Sequence, residues 1–515
     1  MLKFPFANML IFLLVFATAL SQEVPREGGT AVVILGGDPE HLNPGISTGY
    51  PIGAVGASLY SALIRLDRDG MPQPELAEAW TISDDNLTYT FKLRSASWHD
   101  GEPVTSADVR HSMEEILAPN HGRFRTAFAF IESIETPDDA TVIINLREAY
   151  APLMSLLTVF DAPVLPQHIY EGTDPLTNAA NQEPVGSGPF RFVAWNRGES
   201  ITLERNPDYF FEPAYLDRLI YRIIPQDVAR SVALEVGEAD LVWGFYLPTA
   251  DLPRLESNPD LEVWTGITIP SLYFIFVNTD REHLADPRVR QALMHAMDRE
   301  QIVEQAQAGL GEPAAGPFGL GFNFAYFEET DYRDLYPYNP DRARALLEEA
   351  GVSNLQLDFV YDSARGSFAA AAEIMRDNFR QVGVTLTVQP VERSVMVDQV
   401  YSRQYDISMQ SFTSGGDPAI GYHRIYATAE PGTPFVNATG YTNPEVDALL
   451  RQAATEANVA IRADFYRQAA EIIAEDVPVL VLYNELSSEV SNRRLQGLQQ
   501  TLDPRDGLEY LWWSE

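Results

Sequence analysis

At 515 residues the chain is too long for one hydrophobic core, and 45% apolar with 11% aromatic content supports two or three folded domains rather than a disordered polypeptide. A formal net charge of −37 excludes nucleic acid and anionic membrane as partners, because both repel such a protein over a Debye length or more. The absence of cysteine excludes disulfides, thiolate metal sites, cysteine nucleophiles and a lipid-modified N-terminal cysteine.

The chain begins "MLKFPFANMLIFLLVFATALSQ", with one cation at Lys3, an apolar run, and small residues Ala19 and Ser21. This pattern predicts a secretory signal peptide over residues 1–21, cleaved after Ser21, with an anchor helix as the alternative. No other stretch approaches the ~18 apolar residues of a membrane span. "TAVVIL" (30–35) reads as a buried strand before the turn-rich "GGDPEHLNPG". In "LTYTFKL" (87–93) Leu87, Tyr89, Phe91 and Leu93 alternate with polar residues, which predicts a half-buried strand. "HDGEP" then turns the chain, and Thr105 with Asp108 caps a helix whose inner stripe is Val109, Ser112, Met113, Ile116 and Leu117. Strand, turn and capped helix account for Trp98, His99 and Asp100 without chemistry, so His99 reads as scaffold.

Further helices open at Asp286-Pro287, at Asp298 (with Gln301 as its capping partner), at Asn339-Pro340 and at Asn443-Pro444. Strands are expected at 219–224, 272–278, 355–361, 384–388 and 477–483. A helix at 367–382 between two of them makes a βαβ unit. Residues 172–188 and 309–324 read as loops. The class is α/β with several sheets.

Enzyme motifs are missing. "GSG" (186–188) is no nucleophile elbow, no H-E-x-x-H occurs, and no two of the eight histidines stand three to five residues apart. Walker A, dinucleotide-binding and EF-hand patterns are likewise absent. A glycosidase carboxylate pair could be far apart in sequence, and nothing selects one.

Several segments, in order, resemble the family 5 extracellular solute-binding proteins of ABC importers, a class of peptide-, dipeptide- and nickel-binding receptors. They are "PELAEAWTISDDNLTYTFKLRSASWHDGEPVTSADV" (74–109), "PVGSGPFRFVAWNRGESITLERNPDYF" (184–210), "DPRVRQALMHAMDREQIV" (286–303), "YNPDRARALLEEAG" (338–351), "YTNPEVDALL" (441–450) and "EDVPVLVLYN" (475–484). Trp98 stands where Phe is usual, and Asn86 replaces a usual Gly. The resemblance implies an α/β, periplasmic binding protein-like fold (type II, cluster C), with two lobes, an extra inserted domain and a hinge. Domain I would comprise 22–56, 185–270 and 490–515, domain II the insertion 57–184, and domain III 271–489. The hinge would lie near Pro270–Asn278 and Tyr483–Val490.

It also implies a monomeric, non-enzymatic periplasmic receptor without cofactor or metal. Such a receptor delivers a small polar solute, a short peptide or amine-bearing metabolite, to an inner-membrane ABC permease. A nickel-chelate receptor (with His423 as ligand), an oligosaccharide receptor, a secreted hydrolase and a chaperone-like peptide binder are the alternatives. In peptide-binding relatives an aspartate of a W-T-x-x-x-x-D-P-like loop meets the ligand's amino terminus. "SFTSGGDP" (411–418) places Asp417 there, within Phe412, Thr413, Ser414 and Gly415; the competing reading is that Asp417 makes an Asp-Pro turn or caps a helix. Trp243, Phe245 and Tyr246 offer a stacking wall or core packing, with Tyr50 and Tyr273 as further contacts.

Overall fold

The computed structural model describes residues 24–515 apart from 267, 364 and 434, so the expected leader at 1–21 lies outside the described residues. Three sheets each carry a separate hydrophobic core. The first is seven-stranded and runs Leu261–Gly266, Ser487–Asn492, Leu241–Trp243, Thr30–Leu35, Arg218–Ile223, Ser200–Arg205, Phe190–Asn196. The second is six-stranded: Gly311–Pro313, Val479–Glu485, Ser271–Val277, Ile407–Thr413, Gln356–Asp362, Thr385–Val391. The third is a four-stranded antiparallel sheet of Ala77–Ile82, Thr88–Leu93, Thr141–Leu146 and Ile131–Asp138. We call the units around the first and second sheets lobe A and lobe B, and the third the inserted sheet.

Local rules explain much of this. The predicted strand at 87–93 is Thr88–Leu93, with Tyr89, Phe91 and Leu93 buried. Asn86 takes φ +58° in the turn before it, a conformation asparagine tolerates better than other non-glycine residues. Thr105 and Asp108 form a reciprocal capping box. The helix it starts widens to a π turn at Ser112–Leu117, where the Ser112 hydroxyl bonds to the carbonyls of Asp108 and Leu165 at 2.7 and 3.2 Å. Asp286, Asp298, Asn339 and Asn443 each accept from a backbone N–H of the helix they open. Gln356–Asp362 and Thr385–Val391 pair in parallel, joined by the helix Gly366–Gln381. Ser271–Val277 is buried at every residue because both faces are covered, and each large apolar side chain there contributes about 1.5–3 kcal/mol.

The lobes are joined by two crossings that lie side by side. The chain leaves lobe A at Gly266 and enters lobe B at Ser271; it returns from Glu485 to Ser487. The strands flanking the crossings pair with each other in both lobes, Gly266 with Ser487 and Leu272 with Asn484. The Thr268 and Ser487 hydroxyls bond at 2.6 Å between them.

His99 is scaffold. Its backbone N–H donates to the Gly186 carbonyl at 2.8 Å, its Nδ1 accepts from Gly186 N–H at 3.1 Å, and its Nε2 donates to the Gly188 carbonyl at 3.1 Å. The "GSG" glycines are required because a Cβ on Gly186 would lie 1.8 Å from the Leu59 carbonyl oxygen. Burial pushes the His99 imidazole down from 6.5 to about 4. The unfolded chain therefore binds the proton first, and stability falls as pH drops from about 6.5 toward 4. His99→Gln should cost about 1–2 kcal/mol at neutral pH and remove part of that acid sensitivity. Melting curves between pH 4 and 7 check this; a large loss of ligand affinity with an unchanged melting curve would contradict it.

Candidate functional site

Two walls flank the crossings. On lobe A, Tyr50 begins the helix Tyr50–Leu59, Trp243 ends its strand, and Tyr246 lies in the turn Gly244–Tyr246. Tyr50 meets Trp243 edge-on at 6.1 Å and Tyr246 at 5.4 Å. The Arg505 guanidinium sits 4.3 Å over Tyr50 and 4.4 Å over Phe160, held by Asp503 at 2.9 Å. Of the expected wall of Trp243, Phe245 and Tyr246, with Tyr50 as a further contact, the described residues differ in access. Trp243 is 2% exposed and its indole N–H donates to the Pro504 carbonyl, so it is core packing behind Tyr50. Tyr246 is buried against Gly36, with its hydroxyl pushed up to about 12 by burial. Tyr50 keeps partial exposure. The Phe245 side chain lies outside the described residues.

On lobe B, Tyr273 is stacked on Tyr483 at 4.6 Å, and Ser411 lies opposite Tyr273 on the neighbouring strand. Arg365, which precedes the helix Gly366–Gln381, donates to Ser411 Oγ at 2.9 Å and covers Phe368 at 5.0 Å. Glu485 ends the strand carrying Tyr483. Burial raises its carboxyl, opposed by a hydrogen bond from Tyr273 and by the Arg365 charge. Arg365 and the N-terminus of a 16-residue helix thus project positive potential onto one spot, beside a half-buried acid. Three residues of largely extended chain separate Glu485 from Glu489, the cross-strand neighbour of Trp243, a rise of about 13 Å along the crossing from one wall to the other.

The loop expected to hold a ligand amine is otherwise employed. Phe412 points to the opposite face from Ser411, packed on Phe274 at 5.3 Å and under Arg424 at 4.1 Å; it is core. Ser414 is fully buried, its hydroxyl donating to the Asp417 carbonyl at 2.6 Å and accepting from Gly421 N–H at 2.9 Å. Asp417 is 4% exposed; it accepts from Ala419 N–H at 2.9 Å and pairs with Arg462 at 2.8 and 2.9 Å. The capping role is realised, and a buried arginine occupies the carboxylate expected to receive an amine. Gly416 packs beside Leu66 and Ser155, which fixes the loop between lobe B and the inserted sheet. Thr413 is exposed beside the crossing, and Gly415 is half-buried. His423 is bonded to the Tyr466 hydroxyl at 2.8 Å and pushed down to about 3 by burial, which removes it as an accessible chelate ligand.

Sequence reasoning missed Arg365, Ser411 and Glu485. A signal for Arg365 was available: it stands between a parallel strand's C-terminal end and the following helix, where α/β sheets bind ligands. A groove of about 380 Å³ lined by Arg344, Leu347, Val352, Leu355 and Val382 lies at the opposite, N-terminal ends of the same strands, away from both walls.

The sequence profile of bacterial extracellular solute-binding proteins, family 5 (middle region), matches residues 71–432. The chain belongs to this family. This family 5 chain is 28% identical to the oligopeptide-binding protein AppA of Bacillus subtilis, over 95% of its own length and 92% of the relative's. It is 27% identical to the glutathione-binding protein GsiB of Pectobacterium atrosepticum, with 91% of each covered. The solved ABC transporter substrate-binding protein CtaP of Listeria monocytogenes superposes with a TM-score of 0.85 at 26% identity, covering 95% of this chain and all of that one. As a family 5 member the chain has the periplasmic binding protein fold, and its role is to bind a solute for an ABC importer. Among the described residues no helix is long and apolar enough to cross a membrane.

Proposed function

We propose that this protein captures a short peptide or peptide-like zwitterion between lobes A and B and presents it, chemically unchanged, to an ABC permease. The observation that carries this reading is the lobe B wall, where Arg365 with its helix N-terminus adjoins Glu485 and the Tyr273 hydroxyl. Arg365 takes the ligand carboxylate and Glu485 its amine, with Thr413 and Gly415 supplying polar contacts from the loop edge. Tyr50, backed by Trp243 and Tyr246, closes over the ligand from lobe A, and the crossings at 266–271 and 485–487 bend as the lobes approach. The inserted segment, residues 57–184, built around the inserted sheet, forms a third domain carried on the side. The relatives' names support the ligand class: one is called oligopeptide-binding and another glutathione-binding, and both ligands are amine- and carboxylate-bearing peptides. Residues 1–21 act as a leader that directs the monomeric mature chain to the periplasm.

Mass spectrometry of the solute that co-purifies, followed by calorimetry with that solute, tests the reading. Arg365→Ala should weaken binding of a carboxylate-bearing peptide at least tenfold, since a charge-assisted bond contributes about 1.5–3 kcal/mol, with little change in melting temperature. Unchanged affinity would reject Arg365 as the carboxylate receptor. Release of cleaved peptide would reject the binding role altogether.

A further inference from the structure

Glu489 lies within the strand Ser487–Asn492, 1% exposed, and neither of its carboxylate oxygens meets a hydrogen-bond donor among the described residues. Its cross-strand neighbours are Trp243 and Trp264. The carboxylate borders a cavity of about 10 Å³ that is also lined by Arg68, Trp264, Thr268, Gln499 and Thr501. That volume is about one water-sized sphere.

Apart from the Arg68 guanidinium and the Trp264 indole, the polar side chains around the cavity offer lone pairs. Thr501 donates its hydroxyl proton to the carbonyls of Asp503 and Asp506, at 2.8 and 3.0 Å, so its oxygen remains free to coordinate. Thr268 shares one proton with Ser487, and its oxygen can also serve as a ligand. Gln499 also lines the cavity, and its amide oxygen would complete a set of hard oxygen donors with one formal negative charge. Among the described residues no three carboxylate or imidazole side chains converge, so the set lacks the charge a divalent cation requires. Of the nearby ionic groups, Asp503 is an anion committed to Arg505 at 2.9 Å, and the Arg68 guanidinium, which also lines the cavity and lies over the Trp264 ring at 5.3 Å, attracts Glu489 without making a hydrogen bond to it.

We infer that this cavity is a binding site for a single small monovalent cation of sodium size, held by the Glu489 carboxylate with the Thr268, Thr501 and Gln499 oxygens. Thr268 stands on one crossing, Glu489 just beyond the other, and Gln499 and Thr501 on the C-terminal tail. The ion therefore braces the hinge from behind the lobe A wall, whose Trp243 is the cross-strand neighbour of Glu489. The rival occupant is one water beside a protonated Glu489. Without a cation, burial and the neighbouring Asp503 push this carboxyl up to about 8, Arg68 opposes them, and the Tyr50 hydroxyl is near enough to feel its charge. Proton and cation compete for the same oxygens, so cation binding strengthens as pH rises.

The test is thermal melting of the full chain in sodium chloride and in choline chloride at equal ionic strength, at pH 6, 7.5 and 9, for wild type and E489Q. Sodium should raise the melting temperature over choline, by a gap that widens with pH and vanishes in E489Q. Sodium-23 relaxation, broadened by wild type and restored by excess lithium, gives a second readout if E489Q folds poorly. Equal melting in both salts at pH 9, a gap that persists in folded E489Q, or a sodium signal unaffected by the wild-type protein would overturn the proposal.

Discussion

Asp417→Ala should destabilise the protein by about 3–5 kcal/mol while leaving the solute affinity of the folded fraction within a few-fold of wild type. The substitution strands the Arg462 guanidinium, whose side chain is 7% exposed, and uncaps the helix at Pro418. Breaking one side of a buried pair leaves an uncompensated charge, the larger of the two losses; a lost cap adds about 1 kcal/mol. Arg462→Met should cost a similar amount. The double variant Asp417→Ala/Arg462→Met should cost less than the sum, because no charge then remains buried. Urea unfolding and calorimetry on the four proteins check both parts. A tenfold or greater affinity loss in Asp417→Ala with unchanged stability would return Asp417 to the role of amine receptor.

Arg65→Met should be at least as damaging, again by about 3–5 kcal/mol. Arg65 lies in the first strand of the inserted segment, 7% exposed. It bonds Glu509 of the C-terminal tail at 2.7 Å, faces Glu75 at 3.6 Å, and donates to the Tyr209 and Tyr510 hydroxyls at 3.3 and 3.1 Å. One guanidinium thus stands between the buried carboxyl groups of Glu75 and Glu509, near the half-buried Asp506, and joins the inserted segment to lobe A. Burial is the largest influence on Glu75, and it pushes that carboxyl up to about 8; Asp506 rises to about 6. The sign follows. The folded protein holds protons that the unfolded chain gives up near the ordinary carboxylate range, so this cluster loses stability as pH rises from about 4.5 through 8. Glu75→Gln should flatten that alkaline decline by a few kcal/mol, whereas Arg65→Met should deepen it. Denaturant midpoints at pH 6 and pH 9 decide this. A wild-type midpoint that does not fall between them would contradict the burial argument for Glu75.

The sequence was most legible where structure is local. Period-two alternation marked Thr88–Leu93, and Asn-Pro and Asp-Pro steps marked three helix starts, because strand faces and caps are decided within a few residues. The ordered segments carried the family and its fold. The site was legible only in part. Whether Ser411 or Phe412 faces the crossing depends on which side of the strand Ile407–Thr413 is buried, and that side is set by pairing with Ser271–Val277, more than a hundred residues earlier. Asp417 looked free because its arginine partner stands 45 positions away. Arg65 and Glu509, 444 positions apart, gave no sequence sign of being neighbours. The widened turn at Ser112 depends on Leu165, 53 residues on. In each case a long-range partner decides what a side chain does, and spacing along one chain cannot reveal it.

Closure of two lobes over an intact zwitterionic solute is the central claim, and small-angle X-ray scattering of the purified protein with and without its co-purifying solute tests it most directly. The account predicts a smaller radius of gyration when the solute is bound, with Arg365→Ala needing far more solute to reach the same compaction. Scattering profiles that superimpose while calorimetry shows the solute fully bound would contradict it.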